Sequence, residues 1–256
     1  MCRSSADGGR RCDDARRFEA LTARELAPVP DDRLPEVYWS DEDLAQLWAG
    51  AEDHAVVATA ISRLQQIRDA EPEITHTLLE VAAAAGARMH GLEARMKSPA
   101  STTEKIRRKS KVLRGLSPHD VVARFTDLLR YTIVTEHHDE LLPTAHRALG
   151  DLLGRGVEIL ELSSTYADGS PYKGLHAINR FPQTPAFELQ FHSELSQSVK
   201  DEIHPHYEIA RSIDAGEAER AAAAAACIRI SARVPTPRGL DEASEIHGHP
   251  ILRSFG

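Results

Sequence analysis

The stretch FELQFHSELSQSVKDEIHPHYEIAR, Phe187 to Arg211, changes period in its middle. Side chains on a strand alternate, so Phe187, Leu189 and Phe191 share one face while Glu188, Gln190 and His192 share the other. After Ser193 the spacing becomes helical, and Lys200, His204, Tyr207 and Arg211 recur at intervals of four, three and four along one helix face. A strand and the helix after it thus each present a row of polar groups. A half-exposed sheet and an amphipathic helix would produce the same rows without function.

Three more segments read as strands. LRYTIVT, VEILELSSTY and LHAINRF are rich in β-branched and aromatic residues and are bounded by turn-forming residues. Between the first two, DELLPTAHRALGDLLGRG has helical periodicity. Ahead of them come helices: Ser40 as cap for Asp41 to Ala49, a segment from Glu52 to Asp69, and EPEITHTLLEVAAAAGARMHGLEARM with Ile74, Leu78, Val81 and Ala85 as its stripe. Ser101 and Glu104 have capping-box spacing and predict a helix carrying Lys105, while Ser117 and Pro118 open another that runs up to Asp127. An Ala-rich helix follows from Gly216 to Cys227, and IRISARVPTPRGLDEASEIHGHPILRSFG after it reads as a docking strand and a loose tail. This order predicts an α/β fold with a small mixed β-sheet flanked by helices. The expected organisation is a weakly ordered arm over 1–37, helices over 38–72, the α/β domain over 73–235 and a loose tail over 236–256.

The chain has 256 residues and a net charge of −8, which argues against general coating of nucleic acid. The balance is uneven, because Arg88 to Arg114 holds nine basic residues against Glu93 and Glu104. A local basic patch on an acidic protein suits a bound anion, although a solvated helix face explains most such runs. Cys2, Cys12 and Cys227 are odd in number and match no zinc spacing, so a reducing, cytoplasmic setting is expected. No segment has the length and apolarity of a membrane span.

Asp127 and Glu188 both stand beside apolar strand-like runs. Two carboxylates with open positions suit Mg²⁺, which takes its remaining ligands from water and substrate phosphates. YADGSPYKGLHAINR adds Tyr166 and Tyr172 around a Gly-containing loop, with Lys173 and His176 following. A ring there could stack a nucleobase, or simply cover the core. No GxxxxGK[ST] or GxGxxG is present. His204 and His206 form H-x-H, but on a helix these point about 200° apart and cannot easily share one ion.

Taken together, the blocks resemble the synthetase domain of the RelA/SpoT-like family over roughly Ile74 to Arg211. ARMKSPASTTEKIRRK resembles its basic segment, DLLRYTIV its D-x-x-x-R block, YKGLHAIN its Tyr loop, FELQFHS its E-x-Q strand, and KDEIHPHYEIAR its closing helix. The resemblance implies a nucleotidyltransferase-like fold and transfer of pyrophosphate from ATP to the 3′-hydroxyl of an acceptor nucleotide carrying guanine or adenine. It implies Arg95, Lys97, Ser101, Lys105 and Arg130 on ATP and Mg²⁺ on Asp127 and Glu188. Glu188 would be the metal ligand or general base, and Tyr172, Lys173, His176, Gln190, His192, Lys200 and His204 would lie around the acceptor. Two departures stand out: Gly174 replaces the family's Ser, and His192 its Arg. The wording is closer to divergent and toxin-like members, which implies a small, synthesis-only protein, a toxin with an antitoxin or immunity partner among the options. Two rivals stay open: a pyrophosphokinase acting on the 3′ end of tRNA, and a non-catalytic nucleotide-sensing domain.

Overall fold

Helix caps fix much of the chain's local structure. The computed structural model describes residues 18, 21–28, 30–37, 39–50, 53–212 and 215–254. In chain order the elements are α1 (Ala23–Leu26), α2 (Asp41–Ala49), α3 (His54–Ala84), β1 (Arg88–His90), α4 (Pro99–Val112), α5 (Pro118–Val122), β2 (Arg130–Thr135), α6 (Leu141–Gly154), β3 (Glu158–Ser164), β4 (Leu175–Arg180), β5 (Phe187–Ser193), α7 (Glu194–Arg211), α8 (Glu217–Ser231), β6 (Glu245–Ile246) and β7 (His249–Arg253). Two units result. One comprises Met1–Thr75, Gly91–Arg130 and Thr184–Phe187; the other comprises His76–His90, Tyr131–Gln183 and Glu188–Gly256.

The first unit is helical. Ser40 and Asp43 close a reciprocal capping box on α2, as expected. On α4 the cap is Ser98, not Ser101: its side chain accepts from the Ser101 amide, and Pro99 occupies the first helical position, where its missing N–H is harmless. Ser117 and Pro118 open α5 as predicted, but the helix stops at Val122, so Asp127 lies in the link to β2 and not at a helix end. An apolar cluster of Leu26, Leu44, Trp48, Val57 and Ile61 forms this unit's core, with Leu21, Trp39 and Leu47 packed against it. Of the segment 1–37 expected as an arm, residues 1–17, 19–20 and 29 lie outside the described residues. Ala23 and Leu26 belong to the cluster, and Thr22 and Glu25 cap α1 between them.

The second unit holds a seven-stranded sheet in the order β1-β2-β5-β4-β3-β7-β6. β1 runs antiparallel to β2, β3 antiparallel to β4, and β7 parallel to β3, so the sheet is mixed. On β5, Leu189 and Phe191 are fully buried, as the alternation requires. α6 buries Leu141, Ala145, Ala148, Leu149 and Leu152, a stripe at spacings of four, three, one and three. The segment expected to be a loose tail instead supplies β6 and β7. His247 and Gly248 both take positive φ between them, which is the geometry a two-residue hairpin turn demands. Among the described residues no helix is long and apolar enough to cross a membrane.

Candidate functional site

In the first unit, two short backbone segments are stitched together around a cavity. Met96 pairs with Leu129 in an antiparallel bridge, the Lys97 amide donates to the Leu128 carbonyl at 2.9 Å, and the Arg130 amide donates to the Arg95 carbonyl at 2.8 Å. This brings together two blocks that lie some thirty residues apart in sequence. The resulting cavity, about 290 Å³, is lined by Trp39, Lys97, Ser98, Ser101, Asp127 and Arg130, with Arg95 in its wall. Lys105 forms an ion pair with Asp127 and lies 4.5 Å from the centre of the Phe125 ring. The capped N-terminus of α4 also opens here, adding the positive end of a helix dipole. Cations, hydroxyls and a helix N-terminus beside the carboxylates of Asp127 and Glu93 make a surface with the chemistry to suit a phosphate.

Arg95 plays a different part from the one its sequence suggested. Only 3 % exposed, it donates from Nε to Glu71 at 2.6 Å and from NH1 to the Pro35 and Leu92 carbonyls. Glu71, itself 1 % exposed, also accepts from the Thr75 hydroxyl. The guanidinium is therefore held inside the wall. Arg107, Lys109 and Lys111 on α4 are exposed, the solvated-face outcome for that part of the basic run.

In the second unit, a polar network runs along β5. Glu188 Oε1 takes the Gln190 amide N–H at 2.9 Å and pairs with His176 Nδ1 at 2.8 Å. The other end of the Gln190 amide accepts from Lys200 Nζ at 2.7 Å. These partners fix the orientation of the Gln190 amide, because only its oxygen can face an ammonium. Gln190 thus bridges the helix cation to the strand carboxylate. His192 is fully buried, with Nε2 2.8 Å from the Tyr172 hydroxyl and Nδ1 3.1 Å from Ser196 Oγ. Burial, and then the Lys200 charge, push its pKa well below the ordinary value, so the ring is neutral.

Of the other predicted acceptor residues, Tyr172 joins this network, whereas Lys173 and His204 do not. Tyr172 is half-buried and sits edge-on to both His176 and His192. Lys173 is buried, and its ammonium donates to the Val234 carbonyl at 2.7 Å. His204 is exposed on α7, and Tyr207 lies under the Arg211 guanidinium. Tyr166 is buried beside His138. Cys227 is a buried free thiol, while Cys2 and Cys12 lie outside the described residues.

The two departures from the family pattern touch each other. A Cβ built on Gly174 would lie 2.7 Å from His176 Nε2, 2.8 Å from the Tyr172 hydroxyl and 3.2 Å from His192 Cε1. The missing side chain at 174 makes the room that the buried His192–Tyr172 pair occupies. His176 Nε2 is likewise buried there without a hydrogen-bond partner.

Among the described residues no cluster of three or more His, Cys, Asp or Glu is arranged to hold a metal ion. Asp127, one hard oxygen donor beside hydroxyls, suits a magnesium that arrives on phosphates and keeps its waters.

No family model and no curated protein matches this chain. Solved structures do. Small alarmone synthetase 1 from Bacillus subtilis is 16% identical over 67% of this chain and 92% of its own, with a TM-score of 0.47. The same enzyme bound to its product pppGpp gives 18% and the same TM-score. The type VI effector Tas1, crystallised in complex with its immunity protein, is 21% identical over 68% of this chain and 92% of its own, with a TM-score of 0.39. Likenesses this distant say nothing of activity, and the case for function rests on the residues themselves.

Proposed function

We propose that this chain is an ATP-dependent pyrophosphotransferase that moves the β,γ-diphosphate of ATP to the 3′-hydroxyl of an acceptor nucleotide. The observation that carries the reading is the first unit's cavity, where Lys97, Arg130, Ser98, Ser101 and the start of α4 lie around Asp127, with Glu93 also in the lining. Triphosphate binding needs cations and donors on several sides and an acid for its metal. Lys97 and Arg130 neutralise the phosphate oxygens, Lys105 holds Asp127 in place, and the Ser hydroxyls donate to the remaining oxygens.

Glu188 is the proposed general base. His176 and Gln190 both engage one of its oxygens and so hold the carboxylate in a fixed orientation. Fixed orientation is where a positioned base gains most of its effect. The base removes the proton of the acceptor's 3′-hydroxyl as that oxygen attacks the β-phosphorus, and AMP departs with the electrons of the broken P–O bond. Magnesium, assigned to Asp127, would supply charge neutralisation to the phosphates when bound. Tyr172, Gln190 and Lys200 are assigned to the acceptor side.

The test is direct. The pure protein is incubated with Mg²⁺, ATP labelled in its terminal phosphates and, in turn, AMP, ADP, ATP, GDP, GTP and tRNA. The label should appear on one acceptor class with AMP released in equal amount. Label found only in inorganic phosphate or pyrophosphate, or remaining in ATP in every mixture, would reject the reading. Transfer to tRNA that fades steeply with added salt would select the tRNA alternative.

A further inference from the structure

The first unit's cavity has one wall that phosphate binding leaves unexplained. Trp39 lines it, on a segment outside the stretch that resembles a synthetase. We propose that Trp39 is the base-stacking residue of this cavity, so that the site holds a nucleobase as well as a polyphosphate. The inference rests on the reading of the cavity as an ATP site and adds the residue that recognises the base.

Three observations support it. First, the indole is half-buried: it packs against the Leu26–Leu44–Trp48 cluster and also lines the cavity. A ring backed by a core and open to a pocket is a stacking platform, because its position is fixed before a ligand arrives.

Second, its backbone is pinned on both sides. Ser40 caps α2 immediately after it, and Leu44, four residues into the helix, belongs to the cluster against which Trp39 packs. That spacing is the hydrophobic staple, which sets the angle at which a chain enters a helix. Upstream, Arg95 NH1 holds the Pro35 carbonyl at 2.8 Å and Arg68 holds the Ala27 carbonyl at 2.8 Å. Arg95 is therefore a positioning residue for the segment that carries the ring.

Third, among the described residues Trp39 is the one aromatic ring in the lining: Lys97, Ser98, Ser101 and Arg130 suit phosphate and ribose oxygens, and Ala94 and Met96 offer a base no flat face. At about 290 Å³ the cavity is at the lower end of small-molecule sites.

The chain contains only one other tryptophan, Trp48, which lies within the apolar cluster. A Trp48→Phe protein therefore reports on Trp39 alone by its emission. Mg-ATP should quench that emission. By calorimetry, Trp39→Ala should weaken Mg-ATP binding roughly tenfold, the usual scale for one base–aromatic stack. Inorganic tripolyphosphate should bind wild type and Trp39→Ala equally, and Trp39→Phe should retain most of the ATP affinity. Unchanged ATP affinity in Trp39→Ala overturns the proposal and leaves the phosphate site standing, as does an equal loss for tripolyphosphate, which would make the indole a structural wall. If neither ATP nor tripolyphosphate binds wild type, the ATP site fails and the stacking role fails with it. The calorimetry needs no change at Trp48, so a poorly folding Trp48→Phe protein does not decide the outcome.

Discussion

The first unit's cavity and the second unit's β5 network are both built from charged side chains, but they are finished to different degrees. Around the cavity, Lys97 and Arg130 surround a space and Arg130 is exposed. Along β5, hydrogen bonds link Glu188 to His176 and Gln190, and Gln190 to Lys200, while Tyr172 pairs with the buried His192 alongside. An open cationic space gets its remaining partners from a ligand. A closed network supplies its own, and its value lies in holding one group still. The difference teaches that one set of charges is arranged around space and the other around itself.

The largest test of this contrast is Glu188→Gln. The amide keeps the shape and can still accept from Gln190, but it cannot take a proton. Pyrophosphate transfer should fall about a thousandfold, or ~4 kcal/mol on the barrier, with an unchanged circular-dichroism spectrum. Wild-type turnover in that variant would remove Glu188 from the chemistry. Next comes Arg95→Met, which strands the Glu71 carboxylate inside the wall. A loss of about 3–5 kcal/mol in urea melts is expected, with partial recovery in the Arg95→Met, Glu71→Gln double variant. Equal stability of single and double variants would mean that the pair is not coupled.

Gly174→Ala should cost about 1–3 kcal/mol, because its methyl group must displace His176, Tyr172 or His192. The same melts measure it, and a neutral result would show that the network yields easily. Acidification probes the same place more gently. His192 is held neutral, with its folded pKa below its unfolded one. Its contribution is therefore complete above the unfolded value of about 6.5 and declines as pH falls toward the folded value, by at most about 1.4 kcal/mol per pH unit. His192→Gln should flatten that slope. The smallest effect belongs to Arg107, Lys109 and Lys111: alanine at each should change stability by less than about 0.5 kcal/mol and leave ATP binding intact, in contrast to Lys97→Ala.

Where sequence neighbours decide the outcome, the chain was readable. Ser40, Ser117 and Pro118 start their helices as predicted, and the change of period at Ser193 is the boundary of β5 and α7. Residues whose fate depends on distant partners were not readable in the same way. Arg95 looks like its basic neighbours until Glu71, 24 positions earlier, takes its guanidinium. Lys173 follows the Tyr of its loop like a ligand-binding cation, yet a carbonyl 61 positions later holds it. Trp39 lay in a segment too poor in periodic signal to be singled out, and only the fold brings it to the cavity. β6 and β7 were missed because they are short and contain His249 and Pro250; their signal was the His247–Gly248 turn.

The partnership of Lys173 with Val234 also bears on synthesis at the ribosome. A nascent chain long enough to have made the Tyr loop, β5 and all of α7 still lacks the carbonyl that satisfies this ammonium and the strand that lies beside β3. Non-local closures of this kind come late in folding. A translating polypeptide would thus have to emerge well past β5 and α7, as far as Val234 and then β7, before the Tyr loop and the β3 edge could set.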